Sequence, residues 1–283
     1  MSEYAKEVLV EPDWLQEHLE DPKLRIVEVD ENPALYAEAH IPGAVGFDWQ
    51  RDLQDPVKRD FLGPEDFSAL LSQRGIGDEH MVVLYGDRSN WFAAYTYWYL
   101  KYYGHDEVRL LNGPREKWIA DGRPTSTETP SHPPAQFVAQ PGDGAIRARR
   151  DDVLAALERD IKLVDVRSPA EYTGEILSPA GYEQEGAQRP GHIPGALSIP
   201  WSQAVREDGT FKSAAELRDL YGSKGVLDAD QVIAYCRIGE RSAHTWFVLH
   251  ELLGKERVKN YDGSWTEWGS LVGVPIAVGP EQG

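Results

Sequence analysis

One pattern runs through this chain twice. The run Arg25-Ile26-Val27-Glu28-Val29-Asp30 returns as Lys162-Leu163-Val164-Asp165-Val166-Arg167. His40-Ile41-Pro42-Gly43-Ala44 returns as His192-Ile193-Pro194-Gly195-Ala196. Val82 to Tyr85 returns as Val232 to Tyr235, and Asn112 to Trp118 as Asp262 to Trp268. The first strand pair is offset by 137 residues and the last two pairs by 150, so the second copy carries an insertion near 174–190. A repeat of this length is one packed unit used twice. Within each copy, short apolar runs of strand length alternate with helical patterns. That alternation predicts an α/β fold, with a mostly parallel central sheet in each copy and helices on both faces.

Between the copies, residues 123–144 hold Pro124, Pro130, Pro133, Pro134 and Pro141 among Ser, Thr and Gly. By composition this is a linker. It divides the 283 residues into a unit at 1–122 and a unit at 145–283. Asp13 is placed to cap a first helix. Phe67, Leu70 and Leu71 share one face of a helix over 64–74, and an aromatic helix covers 91–103. Val153, Leu154 and Leu157 point inward from a helix over 151–160.

The duplication serves as an internal control. Features in both copies serve the fold; features in one copy point to chemistry. His40 and His192 recur and read as structural, and Trp118 and Trp268 as packing residues. The only cysteine in the chain, Cys236, does not recur: the first copy has Gly86 at the matching place. Cys236 lies where the strand 231–235 turns into a helix whose apolar residues are Ala243, Trp246, Phe247, Leu249, Leu252 and Leu253. A lone cysteine is usually a small buried hydrophobe. Here Arg237 and Arg241 flank it in a loop with Ile238, Gly239, Glu240 and Ser242. Unpaired amides and the helix dipole add positive potential at such a helix start. That setting predicts a lowered thiol pKa and a nucleophilic role.

Composition narrows the partners. A net charge of −18 argues against nucleic acid and anionic membranes. An anionic substrate then needs a local basic pocket, for which the Cys236 loop is the candidate. One cysteine excludes an intrachain disulfide framework. No apolar signal core or membrane-length run occurs, so the expectation is a cytoplasmic protein. Glu183, Glu185 and His192 lie close in sequence but lack metal-ligand spacing, so no metal is expected. No glycine signature for a nucleotide appears.

Protein tyrosine phosphatases place five residues between Cys and Arg. Here four separate Cys236 from Arg241. The tighter loop suits one sulfur carried on the cysteine better than a phosphate. The repeat, the Cys236-Arg237-Ile238-Gly239-Glu240-Arg241 loop, the Asp165 to Tyr172 segment, the Gly191 to Ala196 turn and Gly263 to Trp268 together resemble the two-domain rhodaneses. These are thiosulfate:cyanide sulfurtransferases, and the chain looks closest to actinobacterial CysA-type members.

The resemblance implies ping-pong transfer of sulfane sulfur through a persulfide on Cys236, with no separate cofactor. The partners would be thiosulfate and a thiophilic acceptor, and a monomer is expected. It implies that the loop amides from Arg237 through Ser242, including Ile238 and Gly239, cradle negative charge, and that Arg237 and Arg241 hold the departing sulfonate. Asp165 and Arg167 would support the loop, and Trp91 matches an aromatic that lines the family's substrate pocket. Glu240 is expected to point away from the sulfur. Arg237 directly after the cysteine favours thiosulfate over 3-mercaptopyruvate. Handing the persulfide to a protein partner is the other alternative. A second arginine that helps bind substrate in eukaryotic rhodaneses falls here on Glu171, so its role does not transfer.

Overall fold

The computed structural model describes residues 3–183 and 186–282. The chain forms two compact units. The first is Glu7–Asp143 with Arg206–Phe211; the second is the described residues up to Lys6, Gly144–Val205 and the described residues from Lys212 on.

The first unit is built on a five-stranded parallel sheet of β1 (Leu9–Val10), β2 (Leu24–Val29), β3 (Val45–Phe47), β4 (Met81–Tyr85) and β5 (Val108–Leu111), in the order β1-β5-β4-β2-β3. The second repeats it with β6 (Arg147–Ala148), β7 (Ile161–Asp165), β8 (Leu197–Ser198), β9 (Gln231–Tyr235) and β10 (Val258–Tyr261), in the order β6-β10-β9-β7-β8. The central strands β4 and β9 read as near-continuous apolar runs because helices cover parallel sheets. Register repeats too: Glu28 pairs with Tyr85 as Asp165 pairs with Tyr235.

Matching residues fill matching places in the two cores. Ile26, Ile41, Ala44, Val83, Tyr85 and Trp118 are buried in the first, and Leu163, Ile193, Ala196, Ile233, Tyr235 and Trp268 in the second. Each large apolar side chain so buried contributes about 1.5–3 kcal/mol. The paired tryptophans each donate Nε1–H to a proline carbonyl, Trp118 to Pro124 at 2.8 Å and Trp268 to Pro275 at 3.0 Å. The paired histidines each stack on a tyrosine, His40 on Tyr36 at 4.0 Å and His192 on Tyr172 at 3.7 Å. Each also bonds that tyrosine's carbonyl through Nδ1.

Several expectations change. The Pro-rich stretch after residue 122 runs along the first unit: Ser126 bridges to His40, Ala135 N–H reaches Ser72 O at 3.0 Å, and Gln140 N–H reaches Tyr103 O at 2.9 Å. Backbone bonds to the unit, invisible in composition, hold it there. Asp13 lies inside the first turn of the helix Pro12–Glu17, whose cap position is Glu11. Leu154 is exposed at 38% because its helix, Arg150–Ala156, turns Val153 inward instead. The segment Arg206–Phe211 packs on the first unit. Its Phe211 N–H donates to Asn112 Oδ1 at 3.1 Å, and Asp208 faces Lys117 at 3.5 Å. No helix among the described residues is long and apolar enough to cross a membrane.

Candidate active site

Cys236 follows β9, and the helix Glu240–Trp246 begins four residues later. Gly239 makes the turn with φ of +98°, and a Cβ there would meet Asp262 O and Oδ1 at 3.0 Å. Only glycine takes that conformation and contact without strain. Asn260 on β10 pins the turn: its Nδ2 donates to Gly239 O at 2.9 Å, and its Oδ1 accepts from Ser242 Oγ at 2.6 Å. Ser264 holds the cysteine itself. Its Oγ accepts Cys236 N–H at 3.1 Å and donates to Tyr261 O at 2.6 Å. It does so at φ of +50°, a conformation that costs a non-glycine residue about 1–3 kcal/mol and persists only where neighbours impose it. Trp265 N–H and Thr266 N–H then close on the carbonyls of Cys236 and Arg237, both at 3.0 Å.

The sulfur is fully buried. Cys236 Sγ donates to Glu240 Oε2 at 3.2 Å and accepts Gly239 N–H at 3.2 Å. Burial pushes the thiol pKa up, and the Glu240 charge pushes it further; Arg241 and Ser242 oppose both. The sequence expectation of a lowered pKa is therefore reversed. So is the expectation that Glu240 points away: its carboxylate meets the sulfur, lies 3.5 Å from Arg237 and 3.8 Å from Arg241. The left-handed turn at Gly239 explains this, since it folds the loop back so that the first helical residue, Glu240, meets the sulfur.

Nor is the loop basic overall. Arg241 makes a two-pronged bond to Glu171, 3.0 Å on each prong, with both side chains buried. Burial alone would raise the Glu171 carboxyl, but Arg241 overrides it and holds it down to about 2. Glu171 thus occupies the family's second-arginine position as the partner of Arg241. Arg237 lies over the Tyr182 ring, 4.2 Å from its centroid. Two arginines face two carboxylates, and their charges cancel.

Behind the loop, Arg167 Nη2 bonds Asp165 Oδ2 at 2.6 Å and Gly191 O at 2.7 Å, and its guanidinium covers the Trp265 ring at 4.5 Å. This pair ties the end of β7 to the Gly191 turn and to the helix Ser264–Trp268. Trp91 belongs to the first unit, where it packs on Phe92 at 5.2 Å. Among the described residues no group of His, Cys, Asp and Glu is arranged to hold a metal. Glu185 lies outside them, and His192 is engaged with Tyr172.

Four contributors escape a reading by motif: Glu171, Tyr182, Asn260 and Ser264. The duplication carries the signal for them. Their counterparts in the first copy are Leu35 for Glu171, counted from the matched Tyr36 and Tyr172, Leu110 for Asn260 and Pro114 for Ser264, while Tyr182 lies in the insertion. By the rule that one-copy features serve chemistry, all four stand out.

The matching loop of the first unit is closed rather than merely lacking sulfur. A Cβ on Gly86 would lie 2.0 Å from Val29 O. Asn90, the counterpart of Glu240, turns inward and accepts Gly86 N–H at 2.9 Å. Arg88, Ser89 and Asn90 all take left-handed φ, so no helix start faces the position. Asp87, the counterpart of Arg237, is buried and caps the Glu31 amide at 2.7 Å. Behind it, the Asp165–Arg167 pair is replaced by Glu28 and Asp30, with Arg115 at Trp265's place 3.4 Å from Glu28. Burial and the neighbouring Glu28 push the Asp30 carboxyl up to about 9.

Comparison with known proteins agrees with this geometry. The Rhodanese-like domain family matches residues 11–121 and 150–271. "Sulfur carrier protein TtuD" of Thermus thermophilus is 58% identical over 279 residues, covering 97% of this chain and 98% of that protein. The protein of Mycobacterium tuberculosis (strain ATCC 25618 / H37Rv) named "Putative thiosulfate sulfurtransferase" is 58% identical over 274 residues, covering 96% and 98%. Among solved structures, the 3-mercaptopyruvate sulfotransferase SseA of Escherichia coli superposes with a TM-score of 0.77 at 27% identity, over 91% of this chain and 98% of that one. The anaerobic ergothioneine biosynthesis enzyme of Chlorobium limicola superposes with a TM-score of 0.83 at 26% identity, over 96% of this chain and 70% of that one. With the domain matched in both copies and relatives identical at more than half of all positions, this chain belongs to the rhodanese family as a tandem of two rhodanese-like domains.

Proposed function

We propose that the chain is a thiosulfate sulfurtransferase working through a persulfide on Cys236. The carrying observation is the buried sulfur of the sole cysteine, held between the Gly239 amide and Glu240 with Arg237 and Arg241 beside it. The Cys236 thiolate attacks the outer sulfur of thiosulfate. The new S–S bond forms as the old one breaks, and its electron pair leaves on sulfite. A thiophile then attacks the terminal sulfur and the cysteine thiolate departs.

Loop amides and the helix start suit charge that spreads over two sulfurs. Arg237 and Arg241 bind the sulfonate, with Arg241 aimed by Glu171. Ile238, Gly239 and Ser242 complete the loop around the sulfur, and Asp165 and Arg167 hold its base. The protein works as a monomer in the cytoplasm and requires no cofactor beyond the covalent sulfur.

The test is incubation with thiosulfate followed by mass spectrometry. One sulfur atom is expected on Cys236, with one sulfite released, and Cys236→Ser should take up none. Turnover retained in Cys236→Ser ends the proposal. The Thermus relative named as a sulfur carrier supports a second reading, delivery of the persulfide to a protein. Fast turnover with cyanide counts against it. Comparing kcat/KM for thiosulfate and 3-mercaptopyruvate settles the donor.

A further inference from the structure

Buried thiols disfavour the thiolate, yet the attack on sulfur needs it. The thiol proton must go somewhere that water does not reach. Glu240 Oε2 accepts the thiol at 3.2 Å, and Cys236 and Glu240 are both buried, at 0% and 1% exposure. The surrounding charges bear on what happens next. Glu240 is faced from its own loop by Arg237 and Arg241. The helix Pro169–Thr173 brings Glu171, which neutralises Arg241. The end of β7 brings the closed Asp165–Arg167 pair, and the turn after β10 brings Asp262, held by Arg147 at 2.7 Å. With these three pairs closed, Arg237 and Glu240 balance each other. An arriving anion meets a neutral site. Moving the thiol proton onto Glu240 keeps that total but shifts the negative charge from the carboxylate to the sulfur, so the pairing of Arg237 with Glu240 is released as the thiolate forms.

We propose that Glu240 is the proton acceptor of sulfur loading: it keeps the empty Cys236 as a thiol and takes its proton when an anionic donor enters, turning Arg237 toward that donor. The step balances. The S–H bond breaks and an O–H bond forms on Glu240; the thiolate pair makes the bond to the outer sulfur, and the donor's S–S pair leaves with its anion. When an acceptor removes the sulfur, the cysteine thiolate recovers the proton from Glu240. The position supports a role special to the active copy, since its counterpart Asn90 cannot accept a proton in this way and bonds backbone instead.

This rests on the sulfur-transfer reading above, and the test separates the two. Glu240→Gln keeps the shape and removes the base. Two readouts are taken: the pH dependence of Cys236 alkylation by iodoacetamide, and single-turnover loading from thiosulfate. The alkylation midpoint should fall in Glu240→Gln, because a repelling charge is gone. Loading should slow on the order of 100-fold, the low end for a lost general base. A merely structural role would not shift the midpoint down. An unchanged midpoint, or loading at the wild-type rate, overturns the proposal. Should Glu240→Gln not fold, infrared difference spectra of the wild type decide. Loading should remove the S–H band of the only cysteine and add a protonated-carboxyl band; loss of S–H without that gain overturns the proposal. Failure of the wild type to take up sulfur at all removes the underlying reading instead, and the alkylation profile still reports on the Glu240–thiol contact.

Discussion

Replacing Glu171 by Gln strips the buried Arg241 of its partner while nearly preserving shape. The structure gives the size of the effect twice. A carboxyl held at about 2 rather than the ordinary 4.5 represents about 3 kcal/mol of stability at neutral pH, at about 1.4 kcal/mol per pH unit. Independently, breaking a buried ion pair by removing one member costs about 3–5 kcal/mol. Both bonds are 3.0 Å and both side chains are at most 6% exposed, so little solvent screening reduces these figures. The sign follows from the lowered pKa. The stabilisation is present above pH 4.5 and is lost as pH falls toward 2. Calorimetry of wild type and Glu171→Gln at neutral pH should show the second unit melting about 6–12 °C lower, using about 2–4 °C per kcal/mol. The gap should close as pH falls from 4.5 to 2. A shift under about 2 °C at neutral pH, or a gap that persists undiminished near pH 2, refutes the view that this pair holds the loop.

Two further outcomes concern the first unit. Gly86→Cys together with Cys236→Ser should give no sulfur uptake and a less stable first unit, since the new Cβ meets Val29 O; uptake detected by mass spectrometry would contradict this. Asp30, raised to about 9 by burial and Glu28, gives stability that is full below about pH 4 and is lost as pH rises toward 9. Asp30→Asn should therefore stabilise the first unit at pH 8 and do so less at pH 5, by urea titration; equal effects at both pH values would refute it.

The duplication made most of the fold legible. Strands β4, β5 and β9 fall where their apolar runs stand, and the paired histidines and tryptophans occupy equivalent places. The short strands β3, β6 and β8, of two or three residues, carry too little pattern to read. At the site, the cysteine and its loop were legible because the repeat isolates them. The electrostatics were not. Counting arginines beside a cysteine says nothing of Glu171, 70 positions away from Arg241, nor of burial, which here outweighs the Arg241 guanidinium. Glu240 was visible as a residue, but its direction depends on a helical turn starting at Glu240 itself.

Arg206–Phe211 packs with the first unit although it lies 63 residues beyond Asp143, the end of that unit's main segment. During synthesis, the amino-terminal unit therefore waits for a late piece of chain while the strands β6, β7 and β8 of the next unit are already emerging. A gene cut between the repeats would deliver an amino-terminal product without Arg206–Phe211, and the carboxy-terminal product would begin without Ala5, whose N–H bonds Leu252 O at 2.9 Å. The duplicated halves have thus exchanged short pieces of chain: a single cut between the copies no longer yields the two units whole.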